Sequence, residues 1–173
     1  MSNATGEATF STSGRTVVEN TFPLIPRGDY TCKIRQAEVK AANKPGAIPY
    51  VAVRAEVENT AIKAGGKNQL LFFNLLCSLK PGSDGVISPE RGNGLVAFAK
   101  ALGTEVEGIS VVNRTATIDG NETEQSFLNA KEVADWVTSQ DGASFRARVR
   151  HSKPTAEYPN PKAEVDRFLP PAA

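Results

Sequence analysis

Histidine occurs once in the 173 residues, at His151, and cysteine only twice, at Cys32 and Cys77. The two thiols are far apart and not in ligand spacing, so no zinc set of clustered Cys and His ligands is available. No Gly-x-x-x-x-Gly-Lys-Ser/Thr loop, no Gly-x-Ser-x-Gly elbow and no paired-carboxylate motif occurs. His151 is flanked by Arg150, Ser152 and Lys153, two of them cationic, and no acid stands beside it in the sequence to orient the ring. It is expected to be a solvent-facing residue at a strand end. The expectation is therefore a non-enzyme: catalytic residues none, metal none, cofactors none.

Long apolar runs are also missing. No stretch approaches the about 18 residues a membrane helix needs, and "MSNATGEATFSTSGR" contains no apolar segment of the signal-peptide kind. Free buried thiols in a reducing compartment and a cytoplasmic location are the corresponding expectations. Excess charge of one sign is absent too: 20 Lys and Arg face 19 Asp and Glu, a net +1. That excludes a basic-tail binder, so any attraction for a polyanion has to come from where the cations are placed. With 40% hydrophobic and 23% charged residues, there is material for one ordinary globular core.

What is present reads as strands. Residues 1–22, rich in Ser, Thr, Gly and Asn, are expected to form a flexible arm, and the folded domain to span 23–171. "YTCKIRQAEVK" sets Tyr30, Cys32 and Ile34 against Lys33 and Arg35. "IPYVAVRAEVEN" sets Val51, Val53, Ala55 and Val57 against Tyr50, Arg54, Glu56 and Glu58. "NQLLFFNLLCSL" is apolar on both faces and predicts a central strand covered on both sides. A polar loop, "KPGSDGVISPERGN", leads through Ser88-Pro89-Glu90 into a helix, "GLVAFAKALG", with Leu95, Phe98 and Leu102 in register and Gly103 at its end. Asn129 and Glu132 cap a second helix with Val133, Trp136 and Val137 on its apolar stripe. A closing hairpin ends in a strand from Ala163 to Phe168. Phe98 and Trp136 are expected in the core. Three strands, two helices and a hairpin predict a mainly β fold with one or two helices, an OB-fold-like Greek-key barrel.

"SFRARVRHSK" carries the main functional signal. Alternation puts Arg146, Arg148 and Arg150 on one side of a strand, with Lys153 just beyond. Single-strand nucleic-acid binders combine such cations with rings on which bases stack. The candidate interface is Arg146, Arg148, Arg150, Lys153, Arg54, Arg35 and Lys33 for phosphates, with Tyr50, Phe72 and Tyr158 for bases. It requires the cations and rings to share one wall with few acids nearby. Glu38, Glu56, Glu58 and Glu164 supply a competing explanation, a charge-laddered sheet face stabilised by cross-strand pairs.

Read together, "LIPRGDYTCKIRQAEVK", "YVAVRAEVEN", "FFNLLCS", "GLVAFAKALG" and "FRARVRH…YPNPKAEVDRFLP" resemble a family of small bacteriophage proteins, often encoded beside replication and recombination genes. The likeness spans about residues 23–171. It implies an OB-like barrel acting as a phage single-stranded-DNA-binding protein, with single-stranded DNA and replication or recombination proteins as partners. The chain ends "DRFLPPAA", so it departs from the acidic, phenylalanine-terminated tail by which many single-stranded-DNA-binding proteins recruit others. A homodimer through an exposed edge strand is a further expectation. The alternative function is a phage protein-interaction module, an inhibitor or adaptor whose cationic face meets an acidic protein surface.

Overall fold

The computed structural model describes residues 24–59, 63, 66–79, 94–157 and 159–171. The arm over 1–22, the loop and helix start before residue 94, and Tyr158 lie outside the described residues.

Alternation of apolar and polar side chains produces a long first strand, β1 (Gly28–Lys40), then β2 (Tyr50–Val57) and β3 (Leu70–Leu76), paired antiparallel in sequence order. β1 serves two neighbours. Its residues 32–40 pair with β2, and residues 28–33 pair antiparallel with β6 (Ser144–His151). A register shift between Ile34 and Gln36 leaves Arg35 as the extra residue, and such a bulge bends and twists a strand enough for it to serve both. β6 then turns into β7 (Ala163–Leu169), giving the five-strand order β3-β2-β1-β6-β7. A second shift, between Arg148 and Val149, leaves Asp166 as the extra residue on β7.

The two helices cover the inner face. α1 (Gly94–Leu102) packs on β6, β3 and β7, and α2 (Ala130–Ser139) on β1 and β2. Gly103, at φ +74°, closes α1: its N–H donates to the Lys100 carbonyl and the next N–H, of Thr104, donates to Ala99, each at 3.0 Å. Asn129 caps α2 as its spacing predicts, its Oδ1 accepting from the Glu132 N–H at 3.1 Å. Cys32, Ile34, Val51, Val53, Ala55, Val57, Leu71, Leu75, Phe145, Ala147 and Val149 point inward and are buried. Phe98 lies at their centre. Its ring stands 5.1 Å from Phe145, 5.2 Å from Phe168, 5.4 Å from Phe73 and 6.4 Å from Trp136. Each such contact adds about 0.5–1.5 kcal/mol beyond burial.

Two expectations are corrected. "LLFFNLL" is not a central strand covered on both sides, because β3 ends the sheet order and its outward residues meet water. An apolar run is compatible with either position; the neighbours decide. The segment between the helices, read as no element at all, is a hairpin, β4 (Val111–Ile118) and β5 (Asn121–Leu128). Its turn residues Asp119 and Gly120 both have positive φ, 52° and 78°. Asp-Gly between two Thr-bearing runs is the dipeptide that favours this turn. The fold is mainly β, with antiparallel sheets and two helices.

Candidate functional site

The strand-borne candidates all lie on the outer face of the five-stranded sheet, opposite the helices, because they alternate with the buried residues. In register, Arg146 stands beside Thr31 and Arg148 beside Asp29, while Arg54 stands beside Phe72 and Tyr50 beside Leu76. Thr31 and Lys40, which mark the Arg146 and Tyr50 rows on β1, are nine residues apart. That is roughly 30 Å of extended chain. Tyr50 and the arginine ladder therefore do not form one spot. Lys153 is exposed beyond the end of β6.

The expectation of few nearby acids is also corrected. Arg148 donates to both carboxylate oxygens of Asp29, at 2.8 and 3.3 Å. Arg150 reaches Glu164 at 2.9 Å and Asp166 at 3.4 Å. Arg35 grips Glu56 through Nε at 3.1 Å and Nη2 at 3.3 Å, and Lys33 meets Glu58 at 3.0 Å. The hydrogen bond from Arg148 holds the Asp29 carboxyl below its ordinary value, and that from Arg35 does the same for Glu56. These cations are neutralised within the sheet. The cross-strand acids come from β1, β2 and β7, whose placement beside β6 and beside each other only the fold creates. Arg146 differs: its Nη1 donates to the Pro170 carbonyl at 3.3 Å and it has no carboxylate within ion-pair distance among the described residues. The Arg54 side chain has neither a hydrogen bond nor an ion pair among them.

Phe72 is 62% exposed, in a strip with Leu70 at 41% and Leu76 at 59% along the outer face of β3. This strip borders a cleft that sequence reasoning missed. β3 and β7 are each parallel to β1 by the chain of antiparallel pairings, so their free edges run the same way. The edges converge where the Phe73 and Phe168 rings meet at 5.2 Å, and no β3–β7 ladder joins them among the described residues. Where the strands begin, they part around a cleft of about 1160 Å³. Lys63, Lys67 and Lys162 line it together with Asn68, Asn74 and Phe72. Two acids line it as well, Glu56 and Glu164, and both are already bound by Arg35 and Arg150. Lys63 and Lys67 flank a Gly-Gly turn that is visible in the sequence, but nothing there brings them to Lys162, about a hundred residues on.

His151 is half-buried, not solvent-facing as expected, because the Leu24–Ile25 segment passes over the end of β6: its Nε2 donates to the Ile25 carbonyl at 2.8 Å. The two cysteines are free and buried; burial pushes the Cys32 thiol up to about 12 and Cys77 to about 11. Among the described residues, no cluster of three or more His, Cys, Asp or Glu could hold a metal ion, and no helix is long and apolar enough to cross a membrane. No family model, curated protein or solved structure matches the chain.

Proposed function

We propose that this chain is a non-enzymatic, sequence-tolerant single-stranded-DNA-binding protein of a phage replication or recombination system, acting in the host cytoplasm. Its sheet would be an OB-like Greek-key barrel left open between β3 and β7. The spatial order β3-β2-β1-β6 supports this, since a strand returning beside the first of three consecutive strands is the Greek-key arrangement.

The observation that carries the reading is the pair Phe72 and Arg54. A ring 62% open to water stands directly across the strand pair from a guanidinium that has no carboxylate partner among the described residues. Exposed rings of this kind gain about 1–3 kcal/mol per stacked base, and an uncompensated arginine beside one neutralises the adjoining phosphate. Arg146 and Lys153 extend the positive surface, whereas Arg148 and Arg150 are held by acids.

Fluorescence anisotropy with a poly-dT oligonucleotide at two salt concentrations tests the proposal. Affinity should fall steeply with salt through counterion release, and F72A and R54S should each weaken binding about tenfold, the loss of one stacked base or one phosphate contact. Absence of a complex at low salt would sink it. A protein-interaction module is the second reading, favoured by the uncharged Leu70, Phe72 and Leu76 strip, which a partner protein could cover. Host-lysate partners that survive nuclease treatment, without any affinity for the oligonucleotide, would select it.

A further inference from the structure

Between the free edges of β3 and β7 lie three lysines and two glutamates, yet the five are not equivalent. Glu56 accepts from Arg35 and from Asn68 Nδ2 at 3.3 Å, and Glu164 accepts from Arg150 at 2.9 Å, so both carboxylates turn their charge toward arginines on the outer face. Lys63 and Lys67 have no carboxylate within ion-pair distance among the described residues. The cleft is therefore positive in effect although its composition is nearly balanced. Its lining includes the half-buried Phe73, the exposed Leu70 and the amides of Asn68 and Asn74. An extended polyanion with flat apolar groups fits that combination: phosphates toward the lysines, bases toward Phe72 and the amides.

We infer that the cleft between β3 and β7 holds the phosphate backbone through Lys63, Lys67 and Lys162, and that Arg35 and Arg150 serve by masking Glu56 and Glu164 and not by touching the ligand. This rests on the single-stranded-DNA reading and adds to it a path and a role for the arginine ladder. Arg150 becomes a positioning residue. Removing it uncovers a carboxylate in the cleft, and the penalty is like-charge repulsion, which a second substitution can cancel.

The test uses the full chain and a poly-dT oligonucleotide, with circular dichroism to confirm that each variant folds. K67E/K162E should lose at least about tenfold in affinity at low salt and flatten the salt slope by about 1.4, two single-strand phosphate contacts at about 0.7 each. R150S should weaken binding several-fold, and R150S/E164Q should restore it; R148S, whose partner Asp29 does not line the cleft, should bind as the wild type. A wild type that binds while K67E/K162E binds equally well, or an R150S defect that E164Q fails to rescue, would overturn the inference and leave the DNA reading intact. A wild type with no affinity for poly-dT removes both. Binding of a poly-glutamate peptide in place of the oligonucleotide would also overturn it, by making the cleft a groove for acidic peptides.

Discussion

Arg148, on β6, closes a two-pronged contact with Asp29, on β1, the guanidinium donating to both carboxylate oxygens at 2.8 and 3.3 Å. Residues 119 positions apart in the chain thus meet in direct register across the middle of the sheet. A cation so engaged offers little to an outside phosphate. R148S should leave oligonucleotide affinity unchanged and the melting temperature close to that of the wild type, since exposed ion pairs contribute little. The Asp29 carboxyl, held below 3.8 by the arginine, should titrate higher in the variant. Because the native carboxyl is depressed, the pair's contribution is complete above the unfolded value of 3.8 and is lost as pH falls through the lower native value. Carboxyl-resolved NMR titration of both proteins checks the shift, and an unmoved Asp29 would show that the contact does not persist in solution.

Phe98 is the hub of the aromatic cluster, fully buried against Phe73, Phe145, Phe168 and Trp136. F98A leaves a ring-sized void where helix and both sheet edges meet, and should cost about 3–5 kcal/mol. Against a typical total of about 5–15 kcal/mol, that brings the domain near unfolding. Urea denaturation measures it. A loss below about 1 kcal/mol would mean that the core collapses to fill the space, and the cluster would not be the keystone of the fold.

Gly46 sits at φ +73° with its carbonyl accepting from Gln125 Nε2 at 2.6 Å, so the β1–β2 loop is fastened to the β4–β5 hairpin at this point. A β-carbon here would lie 2.6 Å from Ile118 Cδ1 and 2.7 Å from Cγ1. G46A should therefore destabilise by about 1–3 kcal/mol through backbone strain and overlap together. Adding I118A relieves the overlap but not the left-handed backbone, so the double variant should fall short of the sum of the single effects. Strict additivity would mean that the two residues do not touch.

The buried thiols predict a stability loss in alkali. Burial raises Cys32 from 9.0 to about 12 and Cys77 from 9.0 to about 11, so above pH 9 the unfolded chain ionises while the native thiols stay neutral. A raised native value means the contribution is whole below pH 9 and fades as pH climbs toward the native values. Each thiol should add about 1.4 kcal/mol per pH unit to that fall. C32A should be less steeply sensitive between pH 9 and 11, read from urea midpoints, and a thiol reagent at pH 8 should label native protein only on unfolding.

Period-two alternation made β2 legible residue by residue, since Val51, Val53, Ala55 and Val57 could only be the buried side of a half-exposed strand. The Asn129 cap and the Gly103 stop were readable for similarly local reasons, each satisfying backbone groups within a few residues. The β4–β5 hairpin went unread although Asp119-Gly120 announced its turn: its strands carry few large apolar residues and bury little, so the hydrophobic pattern that marks strands is faint there. For the candidate site, the outward position of Arg54 and the charge ladder with Glu56, Glu58 and Glu164 were readable from alternation, but the exposure of Phe72 was not, because an apolar run does not tell an edge strand from a covered one. Asp29 reaches Arg148 because β1 flanks β6, and strand neighbours separated by a long connection leave no mark in spacing; Asp166 reaches Arg150 because a shift in the β6–β7 register makes it an extra residue on β7.

Sequence by itself determined most of the side chains that avoid water and where many elements start and stop, because each of these depends on residue chemistry over a few positions. The tertiary structure alone decided which cations stay available. Coulomb interactions fall with distance and reward contact, so charge in this molecule is counted pair by pair: Arg148 and Arg150 are engaged by acids from other strands, while Arg54, Lys63 and Lys67 have no carboxylate within ion-pair distance among the described residues.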